Sequence, residues 1–231
     1  MIQISNLSKK YGETVIFSNL NYTLENTCIY GLVGRNGAGK TTLLNILSNY
    51  DKNYTGVISI DRKKMNKVDY LDMPVAYAMD QPSFFNELTI YENLLLIASS
   101  RKIKKQEAFD KIERILDGLG LKKYENYSPL ELSKGTMQRL NNACAMIQEE
   151  KITIFDEPFS GLDPVKMKLL ENVIVEFHKK EKGIYIISSH DIECLQNVCD
   201  KCLLLHNGQI REINMEEVDR EEIAKILSEG E

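Results

Sequence analysis

Residues 34–41 read G-x-x-x-x-G-K-T and combine the residue types that bind a phosphate chain. Glycines let successive backbone N–H groups turn toward phosphate oxygens, a lysine can neutralise the β and γ phosphates, and a threonine hydroxyl can bind Mg²⁺. An apolar run at 27–33 precedes the segment and a helical pattern follows it, which is the context that this motif requires. The sequence therefore predicts a nucleotide phosphate site with contacts from Gly34, Asn36, Gly37, Ala38, Gly39, Lys40, Thr41 and Thr42.

A second segment, 151–157, is an apolar run that ends in two adjacent carboxylates, Asp156 and Glu157. Neighbouring acids at the end of a buried strand repel each other, so a cation is expected between or beside them. We expect Asp156 to hold Mg²⁺, usually through water, and Glu157 to orient or deprotonate the water that attacks the γ phosphate. An exposed acidic strand end is the structural alternative, and the phosphate-binding motif argues against it.

The elements that must position these residues follow from the hydrophobic pattern. Buried strands are predicted by short apolar runs rich in β-branched residues, which lie at 27–33, 75–79, 151–155, 183–188 and 201–205. Helical patterns alternate with these runs: they follow Gly39, begin at Thr89 and cover 104–119, 134–149, 164–180 and 191–198. This alternation predicts the α/β class, with a parallel sheet flanked by helices.

Two regions depart from the alternation. Runs at 2–7, 14–20 and 55–61 read as antiparallel strands, whereas 84–132 is almost wholly helical. The helix that begins at Thr89 has a glutamate at capping-box spacing, which marks its first turn. The sequence therefore predicts a nucleotide-binding α/β core, an antiparallel β subdomain packed on it, and a helical insertion.

Composition bounds the class of protein and its partners. The 231 residues, 43% hydrophobic and 27% charged, fit one soluble globular domain. No apolar stretch approaches the roughly 18 residues of a membrane span, and residues 1–11 lack a signal-peptide pattern, so a cytoplasmic protein is expected.

Eight acids and two bases at 212–231 give a local charge of −6 within a net charge of −5. The rest of the chain then sums to +1, so no nucleic-acid partner is predicted. The basic stretch at 101–123 reads as a solvated helix face, with a docking surface for anionic lipid or a partner as the alternative.

Two further patterns have weaker support. A group of residues that could bind zinc lies near the C-terminal strands: His190, Cys194, Cys199, Cys202 and His206. The paired C-x2-C knuckles of a zinc finger are absent, so reduced thiols are expected instead.

Residues 66–69 read N-K-V-D, as in the guanine-binding motif of small GTPases, but the D-x-x-G match at 117–120 follows it and lies in helical sequence. We interpret the N-K-V-D match as coincidence.

Residues 132–139 read L-S-K-G-T-M-Q-R at the start of a predicted helix, and here the sequence resembles the ATP-binding-cassette ATPases. The signature peptide of that family is L-S-G-G-Q-x-Q-R, and this chain matches it at Leu132, Ser133, Gly135, Gln138 and Arg139. The other family motifs follow in order along nearly the whole chain: Tyr11, the phosphate-binding segment, Gln81, the signature, Asp156 with Glu157, residues 160–163 and His190.

The resemblance implies a role for each motif. Tyr11 would stack on adenine, Gln81 would contact Mg²⁺ or the attacking water, and His190 would reach the γ phosphate. The implied catalytic residues are Glu157, His190 and Gln81, and the implied metal ligands are Thr41, Gln81 and Asp156.

The family also works as a dimer, so the signature of one subunit would close on the ATP held by the other. Ser133, Gly135 and Asp163 are the implied contacts to that nucleotide. Two residues depart from the family signature. Lys134 adds a cation near the phosphate, and Thr136 shortens a side chain that is expected to contact the nucleotide.

By the same resemblance, the chain is expected to be one ATPase domain, 1–231, that powers a separate transmembrane permease from the cytoplasmic face of the membrane. Its core with the β subdomain would cover 1–83 and 151–231, its helical subdomain with the signature 84–135, and the signature helix 136–150. The family docks a short helix of the permease beside residues 81–91.

Lysine at the third signature position resembles bacterial exporters of drugs, bacteriocins and antimicrobial peptides, so export is expected. Two alternatives stay open. One is a soluble cassette ATPase of an assembly system such as an iron–sulfur scaffold. The other is a non-catalytic binding subunit, against which Lys40, Glu157 and His190 argue.

Overall fold

The computed structural model describes residues 1–68, 72–190 and 192–213, which form two sheets and six α-helices. The antiparallel sheet contains β1 (Ile2–Tyr11), β2 (Thr14–Leu24), β4 (Thr55–Ile60) and β5 (Lys63–Lys64), in the order β2-β1-β4-β5. The larger sheet contains β3 (Cys28–Val33), β6 (Val75–Ala78), β7 (Ile152–Phe155), β8 (Ile184–Ser188), β9 (Lys201–His206) and β10 (Gln209–Ile213). Its order is β10-β9-β3-β8-β7-β6, and its pairs are parallel except β9 with β10.

The parallel strands form the centre of the molecule. Every residue of β3, β7 and β8 is buried, as expected for a parallel sheet that is covered on both faces. Successive residues of β3 alternate between two apolar cores: Ile29 and Val33 contribute to one, Tyr30 and Leu32 to the other. The second core also contains residues of the antiparallel sheet, which therefore packs on one face of the parallel sheet.

The helices are α1 (Lys40–Leu47), α2 (Ile90–Ser100), α3 (Lys105–Gly118), α4 (Lys134–Met146), α5 (Pro164–Glu181) and α6 (Ile192–Gln196). Helix α2 begins with the predicted capping box: the Glu92 N–H donates to Thr89 Oγ1 at 3.2 Å, and the Thr89 N–H donates to Glu92 Oε2 at 2.8 Å. The predicted fold class, with its parallel sheet and antiparallel β layer, is confirmed. The predicted division into subdomains stays a prediction.

Several boundaries differ from the predicted ones. Helix α4 ends at Met146 rather than 149, since Glu149 has a left-handed φ of 53° that no helix continues through. Strand β10 was not predicted because its residues form no apolar run. The Asn207–Gly208 turn before it, with φ values of 48° and 69°, is the typical hairpin signal that could have revealed it.

The basic stretch at 101–123 is only partly a solvated face, contrary to the expectation. Lys111 is 1% exposed, and its Nζ lies 2.6 Å from Glu149 and 2.9 Å from Glu181. Arg101 pairs with Glu150 at 3.1 Å. These pairs connect α2 and α3 to the ends of α4 and α5, so part of the local charge is neutralised inside the fold.

Three sequence features extend beyond the described residues. Position 69 of the N-K-V-D match, position 191 at the start of the predicted last helix, and the acidic segment from 214 onward lie outside them. The five cysteines are free thiols. Within the described ranges, no helix is long and apolar enough to cross a membrane.

Candidate nucleotide site

The predicted phosphate-binding loop connects β3 to α1. Gly37 and Gly39 have φ values of 81° and 100°, a region of backbone conformation that favours glycine. A Cβ built on Gly39 would lie 2.6 Å from Ile16 Cγ2, and one on Gly34 would lie 2.7 Å from the Leu205 carbonyl oxygen. Helix α1 has no side-chain cap, so its first N–H groups are available to an anion.

A cavity of about 300 Å³ lies beside this loop. Its lining combines loop residues with three carboxylates: Ile16, Arg35, Asn36, Gly37, Gly39, Lys40, Thr41, Thr42, Asp80, Asp156 and Glu157. The Lys40 Nζ donates to the Gly34 carbonyl oxygen at 2.7 Å, which holds the ammonium against the loop. Burial lowers the pKa of Lys40, while the charges of Glu157 and Asp156 oppose that shift. The arrangement can place a cation next to the phosphates of a bound nucleotide.

Asp156 follows β7 and is 1% exposed. Its Oδ1 accepts a hydrogen bond of 2.6 Å from Ser188, and its Oδ2 lies 3.4 Å from the Tyr77 hydroxyl. Burial, together with the Asp156 charge, raises the pKa of Tyr77, so that hydroxyl stays protonated. These neighbours fix the orientation of the Asp156 carboxylate at the cavity, and neither of them was predicted from the sequence.

Glu157 and His190 form a pair at the same place. The Glu157 Oε2 lies 2.9 Å from the His190 Nδ1, and the two side chains are 21% and 68% exposed. His190 follows β8 by two residues, and β8 pairs with β7 in the parallel sheet. The structure therefore brings two of the three predicted catalytic residues together beside the phosphate-binding loop.

The third predicted catalytic residue, Gln81, is exposed and does not line the cavity. Its neighbour Asp80 lines it instead. Sequence reasoning missed Asp80, although it follows β6 closely and β6 pairs with the strand that carries Asp156. Carboxyl ends of neighbouring parallel strands meet at one sheet edge, and an acid just beyond β6 is the signal that could have found it.

A second cavity of about 420 Å³ adjoins the other side of the loop. It is lined by residues of the β1–β2 hairpin, the loop and the β9–β10 turn: Thr14, Val15, Ile16, Ser18, Arg35, Asn36, Gly37, Ala38, His206, Asn207 and Gly208. Because Asn36 and Gly37 line both cavities, a nucleotide bound through its phosphates can extend its base toward the hairpin.

Tyr11, the predicted base-stacking residue, is not among the residues that line this second cavity, although its neighbour across the hairpin is. It pairs with Thr14 across the hairpin turn and is 51% exposed. Its hydroxyl donates to Asp51 Oδ2 at 3.1 Å, and the Lys9 Nζ lies 4.5 Å from its ring centroid. These two contacts hold the ring in place, and its role in stacking stays a prediction.

The signature residues Ser133 and Gly135 line neither cavity. Ser133 caps α4, since its Oγ accepts the Thr136 N–H at 3.3 Å. A Cβ on Gly135 would lie 2.9 Å from the Gly161 carbonyl oxygen, so α4 and the 160–163 loop approach closely. Asp163 likewise caps α5 by accepting the Lys166 N–H at 2.9 Å. Within one chain, the predicted nucleotide contacts of the signature and of Asp163 are therefore not brought to the phosphate-binding loop.

The two departures from the family signature have different surroundings. Lys134 is exposed, and its side chain runs beside Gly161. Thr136 is 4% exposed, and its hydroxyl lies 2.9 Å from Ser133 Oγ and accepts from Arg139 Nη2 at 3.2 Å. Thr136 therefore faces into the protein in this structure.

Comparison with known proteins identifies the family. The ABC transporter family model matches residues 17–160. A bacitracin transport ATP-binding protein of Enterococcus faecalis is 30% identical over 95% of this chain and 71% of its own length. A tungstate uptake ATP-binding protein of Peptoclostridium acidaminophilum is 29% identical over 91% of this chain and 97% of its own.

A solved ATP-binding subunit of an ABC transporter superposes with a TM-score of 0.85 at 26% identity, and covers 99% of this chain and 95% of its own. The chain belongs to the ABC transporter family and is an ATPase of the kind that powers such transporters. The resemblance seen in the signature and the other motifs is thereby confirmed.

Proposed function

We propose that this ATPase binds ATP with Mg²⁺ beside the 34–39 loop and closes as a dimer to drive an exporter. The observation that carries the proposal is the convergence of Lys40, Asp156 and Glu157 on one cavity at the carboxyl ends of parallel strands. A cation for the phosphates, a buried carboxylate and a partly exposed carboxylate are the parts that phosphoryl transfer to water requires.

Glu157 acts in this proposal as the general base. Its carboxylate takes a proton from the attacking water while the water oxygen bonds to the γ phosphorus, and the bond to the β–γ bridging oxygen breaks, leaving ADP. The His190 Nδ1, which lies 2.9 Å from Glu157 Oε2, orients the carboxylate. In this proposal His190 also reaches the γ phosphate. Lys40 and the N-terminal N–H groups of α1 stabilise the charge that develops on the phosphate oxygens.

The residues present fit Mg²⁺, which prefers oxygen ligands and keeps several waters. Thr41 and Asp156 line the cavity together, and the neighbouring Ser188 hydrogen bond keeps the Asp156 carboxylate oriented. Among the described residues, no three His, Cys, Asp or Glu side chains are grouped to hold a metal, so the phosphates and water would complete the coordination. When bound, Mg²⁺ would neutralise phosphate charge. Gln81 remains a proposed contact.

Dimer closure is supported by the separation of the signature from the cavity of its own chain. Ser133 and Lys134 are exposed at the N-terminus of α4, where partial positive charge favours an anion. A second subunit would bring its Ser133, Gly135 and Asp163 to the γ phosphate bound beside Lys40.

Size-exclusion chromatography of Glu157→Gln with MgATP tests this closure. We expect a dimer with ATP and a monomer with ADP, since the substitution keeps the shape of the side chain but removes the base. The matched control is Glu157→Gln with Lys40→Ala, which should stay monomeric because ATP binding is weakened. A Glu157→Gln profile that ATP does not change would contradict dimer closure.

Contact with a permease at the cytoplasmic face of the membrane is supported by an exposed apolar patch, which consists of Phe85, Tyr127 and Leu130. The Ser128 hydroxyl donates to the Asn86 carbonyl oxygen at 2.8 Å, which brings the two segments of the patch together. This patch begins five residues after Asp80, which lines the cavity, so a helix docked on it could report the state of the cavity. Exposed apolar side chains of this size are typical of protein–protein contact.

Export is the proposed direction, supported by Lys134 in the signature and by the relative named for bacitracin transport. The relative named for tungstate uptake shows that such relatives work in both directions. Relatives named for transport also favour a transporter over a cluster-assembly ATPase. A strain carrying Lys40→Ala should become more sensitive to bacitracin or related peptide antibiotics than its parent. Unchanged sensitivity to all of them would contradict export of this class of compound.

A further inference from the structure

The backbone of Glu157 is in an unusual conformation for a residue with a side chain. Its φ of 49° lies in the left-handed region, which L-residues rarely adopt because Cβ and the backbone crowd each other. Such conformations persist only where the surrounding structure holds them, and they are concentrated at functional sites. The next residue is Pro158, and a proline favours extended backbone for the residue before it, which adds to the strain at Glu157.

Two side chains from different elements hold this residue from both ends. The Glu157 N–H donates to Ser188 Oγ at 2.9 Å, and the Glu157 carbonyl oxygen accepts from Gln138 Nε2 at 3.3 Å. Ser188 is the last residue of β8 and is fully buried, and its hydroxyl donates a hydrogen bond to Asp156 Oδ1. One hydroxyl therefore fixes both acidic residues at the end of β7.

Helix α4 adds a further contact just beyond Gln138. The Asn142 Nδ2 donates to the Pro158 carbonyl oxygen at 3.2 Å, and Asn142 is fully buried. Two consecutive carbonyl oxygens, those of Glu157 and Pro158, are thus held by amide side chains of one helix. The same helix begins with the signature, so a movement of α4 changes the surroundings of Glu157 directly.

We propose that Ser188 and Gln138 are positioning residues that hold Glu157 in its left-handed backbone conformation. In that conformation the carboxylate lies in the cavity and within 2.9 Å of His190. Without the two hydrogen bonds, the backbone relaxes toward an ordinary conformation and the carboxylate leaves its place. The inference rests on the proposed role of Glu157 as the base.

Steady-state ATP hydrolysis of Ser188→Ala and Gln138→Met tests the proposal. We expect kcat to fall about tenfold or more in each variant, because small displacements of a catalytic group lower the rate of the chemical step. Gln138→Met, whose lost hydrogen bond goes to the Glu157 carbonyl oxygen, should also keep the KM for ATP within about twofold of the wild-type value. Matched controls are Thr153→Val, which removes a buried hydroxyl from β7, and Gln106→Met on α3. Both should keep the wild-type kcat.

The decisive comparison repeats Gln138→Met in Glu157→Gln, with phosphate release followed over hours. Because Gln138 acts through the position of the Glu157 carboxylate, its loss should leave this residual rate unchanged, whereas Ser188→Ala also releases Asp156 and should lower it. An equal fold loss from Gln138→Met with Glu157 and with Gln at that position would overturn the proposal, and so would a wild-type kcat in both variants. If Ser188→Ala does not fold, as judged by its thermal unfolding, Gln138→Met decides alone. A wild-type rate in Glu157→Gln itself would instead refute the proposed base.

Discussion

Replacement of Tyr11 tests how the base of ATP is bound. The ring is half exposed on the hairpin that lines the cavity beside the phosphate-binding loop, and Lys9 and Asp51 hold it in position. The bond with Asp51 is charge-assisted. Burial raises the pKa of Asp51, but hydrogen bonds from Lys9, the Asn53 N–H and Tyr11 outweigh this and lower it, so the carboxylate stays ionised.

The size of the effect follows from what each substitution removes. Stacking of a base on an aromatic ring contributes about 1–3 kcal/mol, so Tyr11→Ala should raise the Kd for ATP roughly tenfold or more. Tyr11→Phe keeps the ring beside Lys9 and loses only the hydrogen bond to Asp51. At this exposed position, that loss should change the Kd by no more than about threefold.

Binding of ATP to the Glu157→Gln protein, measured by calorimetry, separates these cases without hydrolysis. Tyr50→Ala is a suitable control, because Tyr50 is 66% exposed and lies outside the β1–β2 hairpin. GTP should bind nearly as well as ATP, since stacking tolerates either purine. Equal affinities of Tyr11→Ala, Tyr11→Phe and the unchanged protein for ATP would show that Tyr11 does not stack on the base.

Three further predictions follow from particular residues. Gly39→Ala should weaken ATP binding about tenfold, because its Cβ would meet Ile16 at 2.6 Å in a left-handed backbone; Gly120→Ala, whose closest contact is 3.4 Å, is the control in the same binding assay. Lys134→Ala should weaken ATP-induced dimerisation by up to roughly 1–2 kcal/mol and leave the affinity of the monomer for ATP unchanged. Identical dimer dissociation constants with and without Lys134, measured at two salt concentrations, would mean that the Lys134 side chain points into solvent. Burial raises the pKa of Cys28 to about 11, so its alkylation at pH 8 should be roughly a hundredfold slower in native than in urea-unfolded protein, as followed by mass spectrometry; equal rates would contradict this.

Local sequence patterns were sufficient for the fold and for much of the site. Apolar β-branched runs predicted the strands of the parallel sheet because a strand covered on both faces must be apolar throughout. The glycine spacing at 34–41 predicted the loop because only glycine tolerates the φ values at positions 37 and 39. Once the strands are parallel neighbours, Asp156 and His190 must meet at one edge of the sheet.

The remaining features depend on contacts between distant segments. The roles of Ser188 and Tyr77 could not be read from sequence, since a serine or tyrosine in a strand has many possible partners. The left-handed backbone of Glu157 has no sequence signal either, because glutamate normally avoids that conformation. The partners of Thr136 also depend on the fold, since its hydroxyl lies beside the hydroxyl of Ser133 and the guanidinium of Arg139.

Phosphate release from the purified chain with MgATP measures the contributions of Glu157 and Lys40 to turnover. If Glu157 is the base and Lys40 binds the phosphates, Glu157→Gln should lower turnover roughly 10²–10⁴-fold while ATP still binds. Lys40→Ala should instead weaken ATP binding itself. Turnover of Glu157→Gln at the wild-type rate, with the protein folded and ATP bound, would contradict the account.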